Sequence, residues 1–311
     1  KNTILMVTRS GILRHSIPVA VANREVAINQ DIKGIILRNE LHADYVLYLI
    51  NGSQLQLLSL WKKQGATVES LETDLIKDTT IPLPPLPEQR AIAAFLDRET
   101  ARIDDLIAKK ERLIQLLQEK RAALITHAVT KGIQPDVKMK DSGVEWIGEV
   151  PEGWVTPPLY ARYSVELGKM LDASRITGKH LLPYLRNIDV QWDKINYNDL
   201  PEMDIPMNEH DRFTVRSGDL LICEGGEVGR AAIVADLCEP VGYQKALHRI
   251  RACSRNEAPR FLFYTFVWAA CTGVFSAGSM STIAHLTGEQ LRRYRFPTPP
   301  VSEQNEIVEF L

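Results

Sequence analysis

One stretch of the chain is written twice. Ile81-Pro82-Leu83-Pro84-Pro85-Leu86-Pro87-Glu88-Gln89 returns as Phe296-Pro297-Thr298-Pro299-Pro300-Val301-Ser302-Glu303-Gln304, an offset of 215 positions counted from Pro82 to Pro297. On the same diagonal Leu5 meets Leu220, Gly11 meets Gly226, Val19-Ala20 meets Val234-Ala235, and Thr67 meets Thr282. Further along it Leu71 meets Leu286, Ile92 meets Ile307, and Phe95-Leu96 meets Phe310-Leu311. One-residue shifts align Tyr48 with Tyr264 and Gln30 with Gln244. So many matches on nearly one diagonal describe a duplicated unit, and whatever fold one copy adopts the other must adopt as well.

The repeat also bears on extent. Lys1 corresponds to position 216, inside a second copy that opens near Gly143. About 73 residues are therefore expected ahead of Lys1 and about 35 after Leu311, for an intact protein of roughly 419. The other reading is a naturally shortened or rearranged gene, which would leave strand edges of the first copy unpaired.

Short apolar runs beside turn formers predict strands at 4–7, 19–22 and 35–37, and a helix over 41–63 with Gly52 as a weak point. The second copy repeats the order, with strands at 220–223 and 231–235 and a helix at 259–272. Each copy thus reads as an α+β module of mixed short strands and helices. Between them, 88–131 holds neither Pro nor Gly. At about 1.5 Å per residue this predicts one helix of roughly 66 Å, with Pro87 in its first turn and Gly132 as its stop. Ile103, Leu106, Leu113, Leu117 and Leu124 form an apolar stripe on it that wants a partner helix, and the helix opening at Glu303 is the obvious one. The architecture expected is two globular domains joined by long coiled-coil helices, the first domain incomplete.

Chemistry is hard to place on this chain. No GxxxxGK[ST], HExxH, GxSxG or [DN]PP[FY] occurs, and Gly225-Gly226-Glu227-Val228-Gly229-Arg230 lacks the Lys and hydroxyl of a phosphate loop, so it reads as a tight turn between strands. Cys223, Cys238, Cys253 and Cys271 form no CxxC pair, so no zinc ribbon or disulfide framework is implied, and reduced core thiols are expected. The longest apolar run, 261–271, is shorter than the roughly 20 residues of a bilayer span, and no secretory signal opens the chain. These readings predict a cytoplasmic protein without membrane contact and without a metal or cofactor of its own. A net charge of −2 argues mildly against DNA. That average conceals two basic clusters, Lys245, Arg249, Arg251, Arg255 and Arg260, and Arg292, Arg293 and Arg295.

The residues resemble a known family. Pro82 to Ile92, followed by Phe95-Leu96-Asp97 and Ile103-Asp104, is similar to the repeated helical region of type I restriction-modification specificity subunits (HsdS). Lys120-Arg121-Ala122-Ala123-Leu124-Ile125-Thr126-His127 resembles the end of their central helix, and Ser142-Gly143-Val144-Glu145-Trp146-Ile147-Gly148 the entry to a target recognition domain. Tyr184-Leu185-Arg186-Asn187-Ile188-Asp189-Val190 and Gly229-Arg230-Ala231-Ala232-Ile233 resemble pieces within that domain.

The resemblance implies that 1–87 is the C-terminal part of target recognition domain 1, 88–132 the central helix, 133–301 target recognition domain 2, and 302–311 the start of the distal helix. It implies a non-catalytic subunit that reads a bipartite site on double-stranded DNA and carries two methyltransferase subunits, with restriction subunits as further partners. S-adenosylmethionine, ATP and Mg would belong to those partners. The competing readings are a coiled-coil adaptor that ignores sequence and an enzyme with no visible site.

Base readout needs exposed donors and acceptors. The candidates are Arg9, Ser10, Arg14, Gln30 and Thr67 in the first module, and Arg186, Asn187, Gln244, Lys245, His248 and Thr282 in the second. A surface salt bridge, turn or cap would suit each residue equally. Thr67 and Thr282, recurring at equivalent places, equally suit helix-start caps.

Overall fold

Thr3–Val7 (β1) alternates half-buried and buried side chains, and Ile4 and Met6 are wholly enclosed. That period of two makes it the central strand of a three-stranded antiparallel sheet, flanked by Val19–Val21 (β2) and Ile32–Ile36 (β3). The computed structural model describes residues 2–63, 68–171, 177–235, 237–254, 257–275 and 285–311. It divides into two units, Lys1–Ile114 and Gln115–Leu311.

In unit 1, Ala43–Gly52 (α1), Gln54–Trp61 (α2) and Thr73–Asp78 (α3) follow the sheet. Tyr45, Val46, Ile50 and Trp61 close the core over Ile4 and Met6. The helix expected over 41–63 is therefore two helices, broken where Gly52 gives way to Ser53. The break has a tertiary cause: the Gln54 amide accepts from Ile17 N (2.9 Å) and donates to Ile17 O (3.2 Å). The third strand lies at 32–36, earlier than the expected 35–37, because its register is set by pairing Gly34 with Leu5.

Leu86–Lys131 (α4) is continuous over 46 residues, with Pro87 in its first turn. It ends at Gly132, which takes the left-handed conformation (φ 77°). From Ala101 to Arg121 every residue is exposed, including Ile103, Leu106, Leu113 and Leu117. The stripe predicted for a partner helix is therefore present and uncovered by this chain among the described residues.

Unit 2 adds strands at Met139–Asp141 (β4), Glu149–Pro151 (β5), Tyr163–Leu167 (β6), Leu181–Leu185 (β7), Val190–Gln191 (β8), Lys194–Ile195 (β9) and Glu202–Asp204 (β10). A short helix His210–Phe213 (α5) follows, then Thr214–Val215 (β11), Leu220–Cys223 (β12), Ala231–Ile233 (β13), Val241–Tyr243 (β14) and Leu247–Ala252 (β15). Pro259–Cys271 (α6), Gly288–Arg293 (α7) and Val301–Phe310 (α8) complete it. Two four-stranded sheets have the orders β13-β12-β15-β6 and β10-β7-β14-β11, the second with β7 and β14 parallel, and β4-β5 and β8-β9 form two-stranded pairs. α6 is buried nearly all round, and its aromatic side chains Phe261, Phe263, Phe266 and Trp268 share a core with Trp154 and with Ile125, Ala128, Val129 and Ile307 from the end of α4 and from α8. Trp154 Nε1 donates to Glu303 Oε2 (2.9 Å) at the start of α8. Cys223 is buried as expected, but Cys238, Cys253 and Cys271 are exposed, which corrects the expectation of four core thiols.

The duplication is structural. β2-β1-β3 repeats as β13-β12-β15, and α3 and α4 begin 215 positions before α7 and α8. One match shifts: Ala20 opposes Leu5 while Ile233 opposes Leu220, so Ala20 corresponds to Ile233 and not to Ala235. A buried glutamine stands in the first turn of both α4 and α8. Gln89 accepts from His42 N (2.8 Å) and donates to Pro84 O (2.9 Å) and Glu40 O (2.8 Å). Gln304 accepts from Ala258 N (3.0 Å) and donates to Pro299 O (2.9 Å).

Candidate nucleic-acid interface

Five loops of unit 2 meet at one end of its sheets. The amide of Gln244 donates to Leu185 O (3.0 Å), tying the β14–β15 turn to the end of β7. Lys169, just past β6, donates to Tyr243 O (2.9 Å) and accepts from Lys245 N (3.0 Å). Glycine is required next to it, since a Cβ on Gly168 would stand 2.2 Å from Gln244 O. The β12–β13 loop joins through Glu224 N to Ala246 O (3.1 Å), and the segment before α7 through Leu286 N to Glu224 O (2.9 Å).

Arg186 and Asn187 sit inside this cluster as its fasteners. Arg186 holds Asp189 twice through its guanidinium (2.8 Å each) and once through its amide (2.8 Å). Burial works against the Asp189 carboxylate, but the Arg186 hydrogen bonds prevail and hold it below the usual carboxylate range. Asn187 Nδ2 donates to Gly225 O (3.2 Å) and Ala246 O (3.4 Å), and Arg230 donates to Asn187 Oδ1 (2.8 Å) and O (3.0 Å). The side chain this turn presents outward is Ile188, 66% exposed. Nothing in the motif marked that difference, because Arg and Asn serve readout and turn locking with the same donors. Lys245 is exposed and Gln244 half-buried beside it, so Arg186, Asn187, Gln244 and Lys245 are brought together.

His248 does not join them. It lies on β15, 1% exposed, with Nε2 donating to Leu286 O (2.9 Å) and Nδ1 buried without a partner. Burial keeps its pKa below the ordinary histidine value. As an interior residue it is removed from the candidate readers: β15 is paired on both edges, by β12 and β6, and 247–250 are buried on both faces of the strand. Thr67 and Thr282 lie outside the described residues.

In unit 1 the β1–β2 connection occupies the place of the β12–β13 loop and is stitched to its neighbour in a similar way, Leu71 N donating to Thr8 O (2.8 Å). Arg9 is exposed there. Ser10 caps a short turn by accepting from Ile12 N (3.4 Å). Arg14 stands 3.6 Å from Glu69, which also meets Lys62 at 2.8 Å. Gln30 is exposed on the loop before β3. Among the described residues no His, Cys, Asp and Glu group could hold a metal ion, and no helix is long and apolar enough to cross a membrane.

The sequence model of a family described as the type I restriction modification DNA specificity domain matches residues 1–116 and 168–311. The chain is 27% identical over 255 residues to the type I restriction enzyme EcoBI specificity subunit of Escherichia coli, covering 78% of this chain and 53% of that protein. It is 25% identical over 286 residues to the MjaVIII specificity subunit of Methanocaldococcus jannaschii, covering 88% and 64%. The chain thus spans between half and two thirds of these curated relatives. Among solved structures, a chain from a study of assembly and conformational transition in a type I R-M system matches with a TM-score of 0.71 at 19% identity, over 99% of this chain and 72% of that one. The HsdS subunit from Thermoanaerobacter tengcongensis matches with a TM-score of 0.61 at 18% identity, over 99% and 71%. At these identities the two structures establish a shared fold.

Proposed function

This chain belongs to the type I restriction modification DNA specificity domain family, and from that premise we propose that it is the sequence-reading part of a type I restriction-modification complex. Each unit reads one half of a bipartite duplex target. The reading surface of unit 2 is the loop cluster around Gln244 and Lys245, held by Arg186 and Asn187. That of unit 1 is the loop end carrying Arg9, Ser10, Arg14 and Gln30. The parts are 1–87 and 133–301 as recognition domains and 88–132 and 302–311 as helices.

One observation carries the reading: a single sheet-and-helix body recurs, clamped alike at Gln89 and Gln304, while its loop ends differ in charge, Arg9 standing where the other unit has Glu224. A constant body with variable loops suits a reader whose two halves recognise different bases. The exposed stripe of α4 suits two methyltransferase subunits, with restriction subunits as further partners, in the cytoplasm where the duplex lies. In this proposal adenine methylation, S-adenosylmethionine, ATP and Mg all belong to those partners. No observation favours an adaptor indifferent to sequence.

The test is an exchange. Residues 143–294 are replaced by the matching region of a relative, and methylated positions are mapped in cells carrying the whole complex. One half of the motif should change and the other stay. A change in both halves would refute the modular reading.

A further inference from the structure

The turn 187–189 is held from more sides than a surface connection needs. Arg186 grips Asp189 through its guanidinium, and Asn187 Nδ2 reaches Gly225 O of the β12–β13 loop (3.2 Å) and Ala246 O of the β14–β15 turn (3.4 Å). Arg230 donates back to Asn187 O (3.0 Å). On the far side Asn196 N donates to Asp189 O (2.8 Å), and Gln191 Nε2 donates to Ile188 O itself (2.9 Å). Leu185 and Val190, which flank the run, are wholly buried. Asp189 is enclosed and Asn187 engaged, so together these ties fix where one exposed side chain points, that of Ile188.

A single exposed isoleucine is ordinary on a protein surface. Its setting here is not. A backbone bonded at the residue and at both its neighbours cannot give way, and a β-branched side chain is stiff at χ1. Ile188 therefore meets a ligand with little freedom left to lose. The groups beside it are polar: the turn that Asn187 grips at Ala246 carries exposed Lys245 and half-buried Gln244. One apolar side chain among hydrogen-bonding groups is too small to anchor a protein partner, whose interface buries about 800 Å² on each side. It matches a single feature of a base pair in the major groove, the C5 methyl of thymine.

We propose that Ile188 reads a thymine in the half-site of unit 2 by packing on its C5 methyl, beside hydrogen bonds made by Gln244 and Lys245. This rests on the reading of unit 2 as a DNA-recognition domain, and names one of its specificity-determining residues. The contact supplies what the polar readers lack, a reward for thymine that needs no donor or acceptor. Taking one methyl group out of water against an apolar surface is worth about fourfold in affinity.

The experiment uses the complete complex and duplexes carrying the motif mapped in cells, the half belonging to unit 2 being the one that changes in the 143–294 exchange. Each thymine of that half, on either strand, is replaced in turn by deoxyuridine, which removes the methyl and keeps every hydrogen-bonding group. At one fixed salt concentration, one replacement should weaken binding of the wild-type complex about fourfold. Ile188→Ala should bind the parent and that replaced duplex alike, and Ile188→Val should fall between. A half-site without thymine, or one in which no replacement matters to the wild type, overturns the proposal. So does the same loss persisting in Ile188→Ala, or an Ile188→Ala chain that unfolds at lower denaturant while its thymine dependence is intact, which would make the residue structural. A complex that binds every duplex alike defeats the reading of function and this proposal with it, whereas one that keeps its motif and ignores the methyl defeats the proposal alone.

Discussion

Gln89 and Gln304, 215 positions apart, perform the same act: each donates to the carbonyl of the proline five residues before it and accepts a backbone amide, His42 in one case and Ala258 in the other. Both are 0% exposed. A buried amide with donor and acceptor both engaged is stable only in that one geometry, so it fixes how the Pro-rich strap enters the helix that follows it. Gln304→Ala strands Ala258 N and Pro299 O in the core, and should cost unit 2 about 2–3 kcal/mol. Gln89→Ala should cost unit 1 a similar amount. Denaturant unfolding of each variant checks this, and a loss below about 0.5 kcal/mol in both would show that the clamp is incidental.

Arg186 and Lys245 should separate into two kinds of residue. Arg186→Ala leaves the nearly enclosed Asp189 carboxylate without its guanidinium and should lower unit 2 stability by about 1.5–3 kcal/mol. Lys245→Ala should change stability by less than about 0.5 kcal/mol, yet reduce the slope of log affinity for duplex against log salt by about one. If Lys245→Ala left the salt slope intact, the loop cluster would not face phosphate.

Acid should act through His248. Its folded pKa lies below the ordinary value, so the unfolded chain binds the proton more readily. The neutral ring's contribution is complete above about pH 6.5 and is lost as pH falls from there toward the folded pKa, at up to about 1.4 kcal/mol per pH unit. His248→Gln, which keeps a donor for Leu286 O, should flatten that part of the stability curve. Identical slopes for the two proteins would count against it.

Leu106→Asp and Leu113→Asp alter residues 52% and 54% exposed on α4. Neither should shift unfolding of the units by more than about 0.5 kcal/mol, whereas co-purification with a methyltransferase subunit should weaken sharply. Unfolding and assembly falling together would place the stripe in a unit's own core.

Much of this was legible in the sequence because repetition and periodicity are local properties of the string. The run without Pro or Gly became α4, and Leu220–Cys223 was read to the residue. What escaped depends on neighbours distant in sequence. Gln54 breaks a helix by reaching Ile17, and the strand at 32–36 takes its limits from β1. Arg186 and Asn187 look like readers until Asp189, Gly225 and Arg230 are seen beside them. His248 was misplaced for the same reason, since its burial is set by the pairing of β15 between β12 and β6.

The first two strands of the repeated sheet are joined by connections of unequal length, with Leu5 and Ala20 fifteen positions apart and Leu220 and Ile233 thirteen. Nothing downstream registers the difference: the third strand, the short helix and the glutamine clamp recur in both units. Added or deleted residues are absorbed at that end of the body and stop there. If these loops read DNA as proposed, new target preferences are accessible by insertion as well as substitution, and a library randomised in both length and sequence at the largely exposed positions 9–12 or 226–227 should retain folded members at a high rate.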